Sequence, residues 1–140
     1  MKTVSVAAAL IFRTADDGTK QLFATQRGYG DWRGWWEFPG GKIEAGESAP
    51  AALRREIQEE LAATISVGAP AGTIEYDYPD FHLSMQCFCC TLAAGTLRLL
   101  EHDAAAWLTA ETLHSVKWFP QTSCCWMRWR SCCAEYLHGH

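Results

Sequence analysis

The sequence predicts an α/β fold, a β-sheet carrying at least one amphipathic helix, and three observations lead there. Apolar residues alternate, or run in short stretches closed by turn residues, as they do in strands. One segment instead repeats its apolar positions every four residues, at Ala49, Leu53, Ile57 and Leu61, which is the spacing of one helix face. The chain has 140 residues, 49% of them hydrophobic and 20% charged, enough for one packed core but too few for a catalytic unit plus a second module. We therefore expect a single domain over residues 1–140.

Residues 4–12 alternate at Val4, Val6 and Ala8, then become wholly apolar, and Asp16-Asp17-Gly18 closes the run as a turn. A lysine ahead of an apolar run also fits a short secretory signal, but the alternation and the turn favour a half-buried strand. Residues 21–26 complete a hairpin with it, and 27–36 form a loop rich in Gly and Trp. A helix is expected at about 48–62, with Ser48 as N-cap and Pro50 tolerated in the first turn. Strand-rich segments follow at 64–78, 83–92 and 97–107, separated by Pro79-Asp80 and Ala94-Gly95, and 109–114 reads as a short helix. No apolar run is long enough for a transmembrane helix.

A net charge of −4 argues against binding a nucleic-acid polymer through its backbone. A small free nucleotide is different, because a metal and a few local cations can meet its phosphates. The seven cysteines, at 87, 89, 90, 124, 125, 132 and 133, are odd in number and partly adjacent, which does not suit a disulfide framework. Cys87, Cys89 and Cys90 read as small hydrophobes in a strand. A zinc site drawing on His138 and His140 is the alternative, and it lacks a Cys-x-x-Cys element. The expected compartment is a reducing cytoplasm, with no membrane partner.

The chemistry concentrates between Gly41 and Glu60. Glu56, Glu59 and Glu60 stand at i, i+3 and i+4 on the expected helix, so they share one patch beside its apolar stripe. Such a cluster is either a solvated acidic face or a set of oxygen ligands whose mutual repulsion a divalent cation relieves. Gly40 and Gly41 allow close backbone approach, so a carbonyl at Gly40 is a candidate further ligand, although a tight turn alone also accounts for them. Arg55 either holds Glu56 by a bidentate pair or ties the helix to the preceding loop.

Gly41, Glu47 and the run Arg55-Glu56-Ile57-Gln58-Glu59-Glu60 together resemble the Nudix box. The chain looks like a Nudix hydrolase of the MutT-like nucleoside triphosphate pyrophosphohydrolase subgroup, whose members act on 8-oxo-dGTP or CTP. The likeness extends to Trp36-Glu37-Phe38-Pro39-Gly40-Gly41-Lys42 before the box, to the hairpin around Glu75 to His82, and to a later loop at Glu101-His102-Asp103-Ala104 leading to Trp107. It implies an α/β/α sandwich with a central mixed sheet. It also implies Mg²⁺, with Mn²⁺ as a substitute, held by Glu56, Glu59, Glu60, Glu101 and the Gly40 backbone. Glu56 or Glu101 would activate water, Arg55 would support the cluster, and Arg27 and Lys42 would touch phosphates. Val4, Val6, Phe38 and Tyr78 would line a base pocket.

The implied reaction is attack of water on a nucleoside triphosphate, giving monophosphate and pyrophosphate without a covalent intermediate, in nucleotide-pool sanitation. An oxidised purine such as 8-oxo-dGTP is the leading substrate. CTP or a modified pyrimidine triphosphate, a nucleotide sugar, and a nucleotide sensor without turnover are the alternatives. The protein would be a monomer or homodimer.

Three departures from the family pattern stand out. Ala62 replaces a usual Gly and Ala63 a larger aliphatic, which predicts lower stability if residue 62 must be left-handed. After Trp118-Phe119-Pro120 the family's Ala then Asp or Asn, a base reader, is replaced by Gln121-Thr122, and residues 121–140 depart from a Leu-rich helix. Cys and Trp codons both begin TG, so a frame opened before each third base turns the Cys-Cys and Cys-Trp junctions into Leu. With permissible codons residues from 121 then read Ala-Asp-Ile-Leu-Leu-Leu-Asp-Ala-Leu-Ala-Glu-Leu-Leu-Arg-Arg. We expect a frameshift near Pro120. Sequencing the DNA across this codon tests it: an open shifted frame encoding that helix supports the shift, and stops or a nonhelical string exclude it.

Overall fold

The apolar run near the start of the chain becomes the central strand of a seven-stranded mixed sheet. The structure, a computed structural model, describes residues 2–98 and 102–124. In chain order the elements are β1 (Lys2–Thr14), β2 (Lys20–Arg27), β3 (Trp36–Glu37), β4 (Gly40–Lys42), α1 (Ala49–Leu61), β5 (Thr64–Asp77), β6 (Phe81–Ala94), β7 (His102–Leu108) and α2 (Pro120–Cys124). β1 pairs antiparallel with β2 through the expected hairpin, and parallel with β6 along eleven partners from Lys2↔Phe81 to Phe12↔Thr91. β5 closes the β6 edge, while β3 and β7 pair with β2 and β4 pairs with β1.

Ala7 to Phe12 are all buried, because helix and loop cover the two faces of this central strand, so the half-buried description holds only for its first residues. Ala7, Ala9 and Ile11 face Leu53, Ile57 and Leu61 of α1. Ala8, Leu10 and Phe12 face the second core, with Leu22, Met85, Leu113 and Trp118. The sheet thus lies between α1 and the chain that runs through 109–119 into α2. Cys87 and Cys89 fill the second core and Cys90 the first, all as free thiols, and burial pushes the Cys90 thiol up to about 12.

Helix α1 forms where its period placed it. Ser48 caps it, its Oγ accepting from the Ala51 N–H at 3.2 Å, and Pro50 sits in the first turn, where no intrahelical N–H is needed. Its C-cap, Ala62, has φ 52° and ψ 38°, the left-handed conformation anticipated for a glycine position.

Three expectations are corrected. Leu97 and Arg98 belong to no strand; the Arg98 N–H instead donates to the Leu61 carbonyl at 2.8 Å, satisfying one of the last carbonyls of α1. His102 to Ala104 belong to strand β7 rather than to a loop. Residues 109–114 form turns instead of a helix: the Thr112 N–H donates to the Thr109 carbonyl at 3.1 Å and the Ser115 N–H to the Thr112 carbonyl at 2.9 Å, each reaching back three residues as in a turn rather than four as in an α-helix. Among the described residues no helix is long and apolar enough to cross a membrane. The zinc alternative at His138 and His140, and the atypical sequence from residue 125 onward, lie outside the described residues.

A left-handed Ala costs roughly 1–2 kcal/mol, and the greater freedom of Gly in the unfolded chain offsets part of that. Ala62→Gly is therefore expected to stabilise the fold by about 1 kcal/mol, read from the urea unfolding midpoint. An unchanged or lower midpoint contradicts the strain assigned to Ala62.

Candidate functional site

The glycines at 40 and 41 lie against different neighbours, and this difference builds the site. β4 pairs with β1 at Ala8↔Gly40 and Ala7↔Gly41, so the glycine pair lies on the central strand beside α1. A Cβ at Gly40 would stand 2.0 Å from the Ala7 backbone oxygen. A Cβ at Gly41 would stand 2.3 Å from Glu56 Cδ and 2.4 Å from Glu56 Oε2. The missing side chain at Gly41 is thus the space in which the Glu56 carboxylate lies.

Arg55 fixes that arrangement. Its Nε and Nη2 donate to the two Glu47 oxygens at 2.8 and 2.9 Å, Nη2 donates to the Lys42 carbonyl at 3.1 Å, and Nη1 donates to Glu56 Oε1 at 2.8 Å. The bidentate partner is therefore Glu47 rather than Glu56, so both roles considered for Arg55, orienting Glu56 and tying the helix to its loop, are met at once. The Glu44 N–H reinforces the loop by donating to Glu47 Oε1 at 3.1 Å. The Arg55 contact, then this N–H, hold the Glu47 carboxyl at about 2.

Two adjoining cavities meet at this point. The polar one, about 460 Å³ and within the usual range of small-molecule sites, is lined by Lys42, Glu44, Glu56 and Glu60 among others. The other is mostly apolar, walled by Val4, Phe81, Leu83 and Met85 with Tyr78 and Trp32. Val6, Arg27, Glu37, Phe38, Gly40 and Gly41 line both.

Helix spacing brings Glu56 and Glu60 to the polar cavity but leaves Glu59 outside it, with its side chain 60% exposed and 3.5 Å from Arg55 Nη1. Among the described residues no three His, Cys, Asp or Glu side chains are gathered as a metal shell. The expected convergence of all three glutamates is corrected to this extent: α1 sets the side they share, and Arg55 draws Glu56 and Glu59 toward itself. Glu101 lies outside the described residues. The cavity is lined by no histidine, cysteine or methionine, and the lone pairs it can offer a metal are those of carboxylate, hydroxyl and backbone oxygens, a donor chemistry that fits a hard divalent cation.

Arg27, which the resemblance gives as a phosphate contact, lines both cavities. It makes a bidentate pair with Glu37, at 2.9 and 2.8 Å, with its guanidinium 4.7 Å from the Phe119 ring centroid. Burial pushes the Glu37 carboxyl up, and the Arg27 hydrogen bonds counter this. Sequence reasoning missed Glu37, Trp32 and Phe119 as site residues. The signal for Glu37 lies in the β2–β3 register, Thr25↔Glu37, which sets it beside Arg27. Phe119 arrives because its N–H donates to the Trp36 carbonyl at 2.9 Å.

A family model, the NUDIX domain, matches residues 2–129. The chain belongs to the Nudix family. Nudix hydrolases generally use a divalent metal ion. The chain is 36% identical over 123 residues to the CTP pyrophosphohydrolase of Escherichia coli, covering 79% of each. It is 45% identical over 49 residues to the 8-oxo-dGTP diphosphatase of the same organism, covering 35% of this chain and 38% of that one. Two Mycobacterium tuberculosis relatives are 38% identical over 88 residues, and the chain spans only 62% of their length. Among solved structures, the E. coli ORF135 protein superposes with a TM-score of 0.75 at 28% identity, covering 94% of this chain and 91% of that one. A Caenorhabditis elegans Ap4A hydrolase, at 20% identity and a TM-score of 0.76, shares the fold, covering 94% and 98%.

The two glycines predict opposite failures. Gly40→Ala meets backbone and is expected to destabilise the fold by about 1–3 kcal/mol. Gly41→Ala meets the end of a flexible side chain, so Glu56 swings away at a cost below about 1 kcal/mol. Denaturant melts of both variants check this, and equal losses contradict it.

Proposed function

We propose that this Nudix chain hydrolyses a nucleoside triphosphate to monophosphate and pyrophosphate with Mg²⁺, Mn²⁺ serving as substitute. The observation that carries the reading is the joined pair of cavities, an apolar one of base size opening onto a polar one with carboxylates and a lysine. The base would sit against Val6, Phe38, Tyr78 and Trp32, and the phosphates would extend past Gly40 and Gly41 toward Lys42. Glu56, Glu59, Glu60, the Gly40 backbone and Glu101 would hold the metal, which when bound would neutralise the charge building on the phosphate oxygens.

The chain's own residues supply the rest. Arg55 orients Glu56, and Glu56 or Glu101 accepts the proton of the water that attacks phosphorus as pyrophosphate leaves. Arg27, offset by Glu37, places a nearly neutral polar pair where base cavity and phosphate cavity join, and Lys42 supplies positive charge farther along. Glu56, held by Arg55 at the polar cavity where a carboxylate can take a proton from water, supports hydrolysis over the alternative of a sensor without turnover. The E. coli CTP pyrophosphohydrolase, matched over 79% of its length, keeps CTP beside 8-oxo-dGTP as a substrate. Buried free thiols at Cys87, Cys89 and Cys90 support work in a reducing cytoplasm, the net charge of −4 supports free nucleotide over polymer, and the unit we propose is a single domain acting as monomer or homodimer.

Pyrophosphate release across a panel of nucleoside triphosphates tests the reading. Release is expected only with divalent metal. Arg55→Ala should lower it roughly 10–100-fold, as loss of a group orienting a ligand does, and Glu56→Gln or Glu60→Gln at least as much. A protein that binds a triphosphate with Mg²⁺ but releases no pyrophosphate is the sensor instead.

A further inference from the structure

We infer that His82 is a positioning residue: as an imidazolium clasping Asp77 and Glu75 it holds the tip of the β5–β6 hairpin, where Tyr78 and Phe81 wall the apolar cavity, and so couples ligand affinity to pH. The inference rests on the hydrolase reading for the identity of the ligand. His82 Nδ1 lies 2.6 Å from Asp77 Oδ1, and Nε2 lies 2.7 Å from Glu75 Oε1. A neutral imidazole has one N–H and one bare lone pair, so it can donate to one carboxylate while its other nitrogen repels the second. The two contacts together require both nitrogens protonated. Ser84 Oγ completes the cluster by donating to Glu75 Oε2 at 2.9 Å.

The clasp lies where the hairpin needs holding. β5 ends the sheet and, among the described strands, pairs with β6 alone, through a ladder whose register breaks at Val67/Pro70 and Pro70/Gly72. The tip is thus secured by the unbroken pairs from Thr73 to Asp77. Asp77↔His82 is the last of them, and each member adjoins a residue of the cavity wall, Tyr78 or Phe81. Those two close the turn, the Tyr78 N–H donating to the Phe81 carbonyl at 2.9 Å with the rings stacked at 5.0 Å. Alternation along the strands then puts the charged cluster on one face and the cavity wall on the other.

The surroundings of His82 bring no competing cation. Its β1 partner is Thr3, followed on the same face by Ser5, while Lys2 pairs with Phe81 and so belongs to the opposite face. Asp80 is the turn's own carboxylate. α1 covers this face farther along, on Ala7, Ala9 and Ile11, with Glu56 and Glu60 turned to the polar cavity, as Glu44 is, and Glu59 at Arg55. α2 carries no acidic or basic side chain, and its Gln121 accepts from the Tyr78 hydroxyl within the apolar cavity. Asp77, then Glu75, raise the His82 ring above its ordinary value of about 6.5, and His82, then Ser84, lower the Glu75 carboxyl. The clasp is therefore complete below the raised His82 value and opens as pH climbs through it, and on the acid side it is lost as Glu75 takes a proton.

Ring-nitrogen NMR on the full chain should find both His82 nitrogens protonated near neutral pH. Between about pH 6 and 9, as the ring loses its proton, hydrogen-exchange protection of the Tyr78 amide should fall. Over the same range the Kd of ATP and of CTP with Mg²⁺, whose bases do not titrate there, should rise roughly threefold to tenfold. His82→Gln should bind weakly at every pH, with KM raised and kcat unchanged. Asp77→Asn should stay tight throughout, because its amide can donate to the nitrogen that has lost its proton. A ring already neutral at about pH 6, or a Tyr78 protection profile that is the same in wild type and His82→Gln, overturns the inference. Tyr78 protection that follows the His82 titration, without pyrophosphate release from any triphosphate, sinks hydrolysis and leaves the clasp standing. Release whose KM and pH profile are the same in His82→Gln does the reverse.

Discussion

The Arg55 guanidinium is the point on which the candidate site depends. Four of its hydrogen bonds tie together three stretches of chain: the end of β4 through the Lys42 carbonyl, the loop before the helix through Glu47, and the helix itself through Glu56. A planar fork with five donors can do this where a lysine cannot, because the bidentate pair to Glu47 fixes the plane and so fixes where the remaining donors point. The result is a carboxylate, Glu56, with one oxygen held by Arg55 and the other against Gly41. The absence of a side chain at residue 41 and the presence of an arginine at residue 55 are two halves of one geometric condition.

That condition explains the division of the site. α1 is anchored by Leu53, Ile57 and Leu61 against Ala7, Ala9 and Ile11, so its acidic side is carried to the sheet end where β4 passes. On the opposite face of the same strand, Val4 and Val6 look into the apolar cavity. A ligand with an apolar end and an anionic end can therefore lie across the edge formed by Gly40 and Gly41. The Arg27–Glu37 pair at the junction adds hydrogen-bonding groups without adding net charge, which leaves the charge contrast between the two cavities to Lys42 and the glutamates.

What was legible in the sequence was local. The period of Ala49, Leu53, Ile57 and Leu61, the Ser48 cap and the left-handed demand at Ala62 each depend on neighbours within a turn of helix, and each appears in the structure. The box was legible for the same reason, since Arg55, Glu56 and Glu60 are fixed relative to one another by helical rise. The spacing could not say which carboxylates Arg55 draws, so neither its bidentate pair with Glu47 nor the turn of Glu59 out of the polar cavity could be read from it. Glu37, Phe119 and Gln121 reach the site through pairings of β2 with β3 and of Trp36 with residues 117–119, which no spacing along the chain encodes. The segment from Thr109 misled for a different reason: its composition permits a helix, and its backbone closes successive three-residue-back turn bonds at Thr112 and Ser115.

The account's central claim is that the glutamates of α1 and the edge at Gly40 hold a divalent cation against a nucleotide's phosphates. A crystal structure with Mg²⁺ and a triphosphate whose α,β bridge is an imido group tests this most directly. The account predicts a cation about 2.0–2.1 Å from a Glu56 oxygen, sharing phosphate oxygens, with the base beside Tyr78 and Gln121. Phosphates bound away from α1, or a cation with no ligand among Glu56, Glu59 and Glu60, would contradict it.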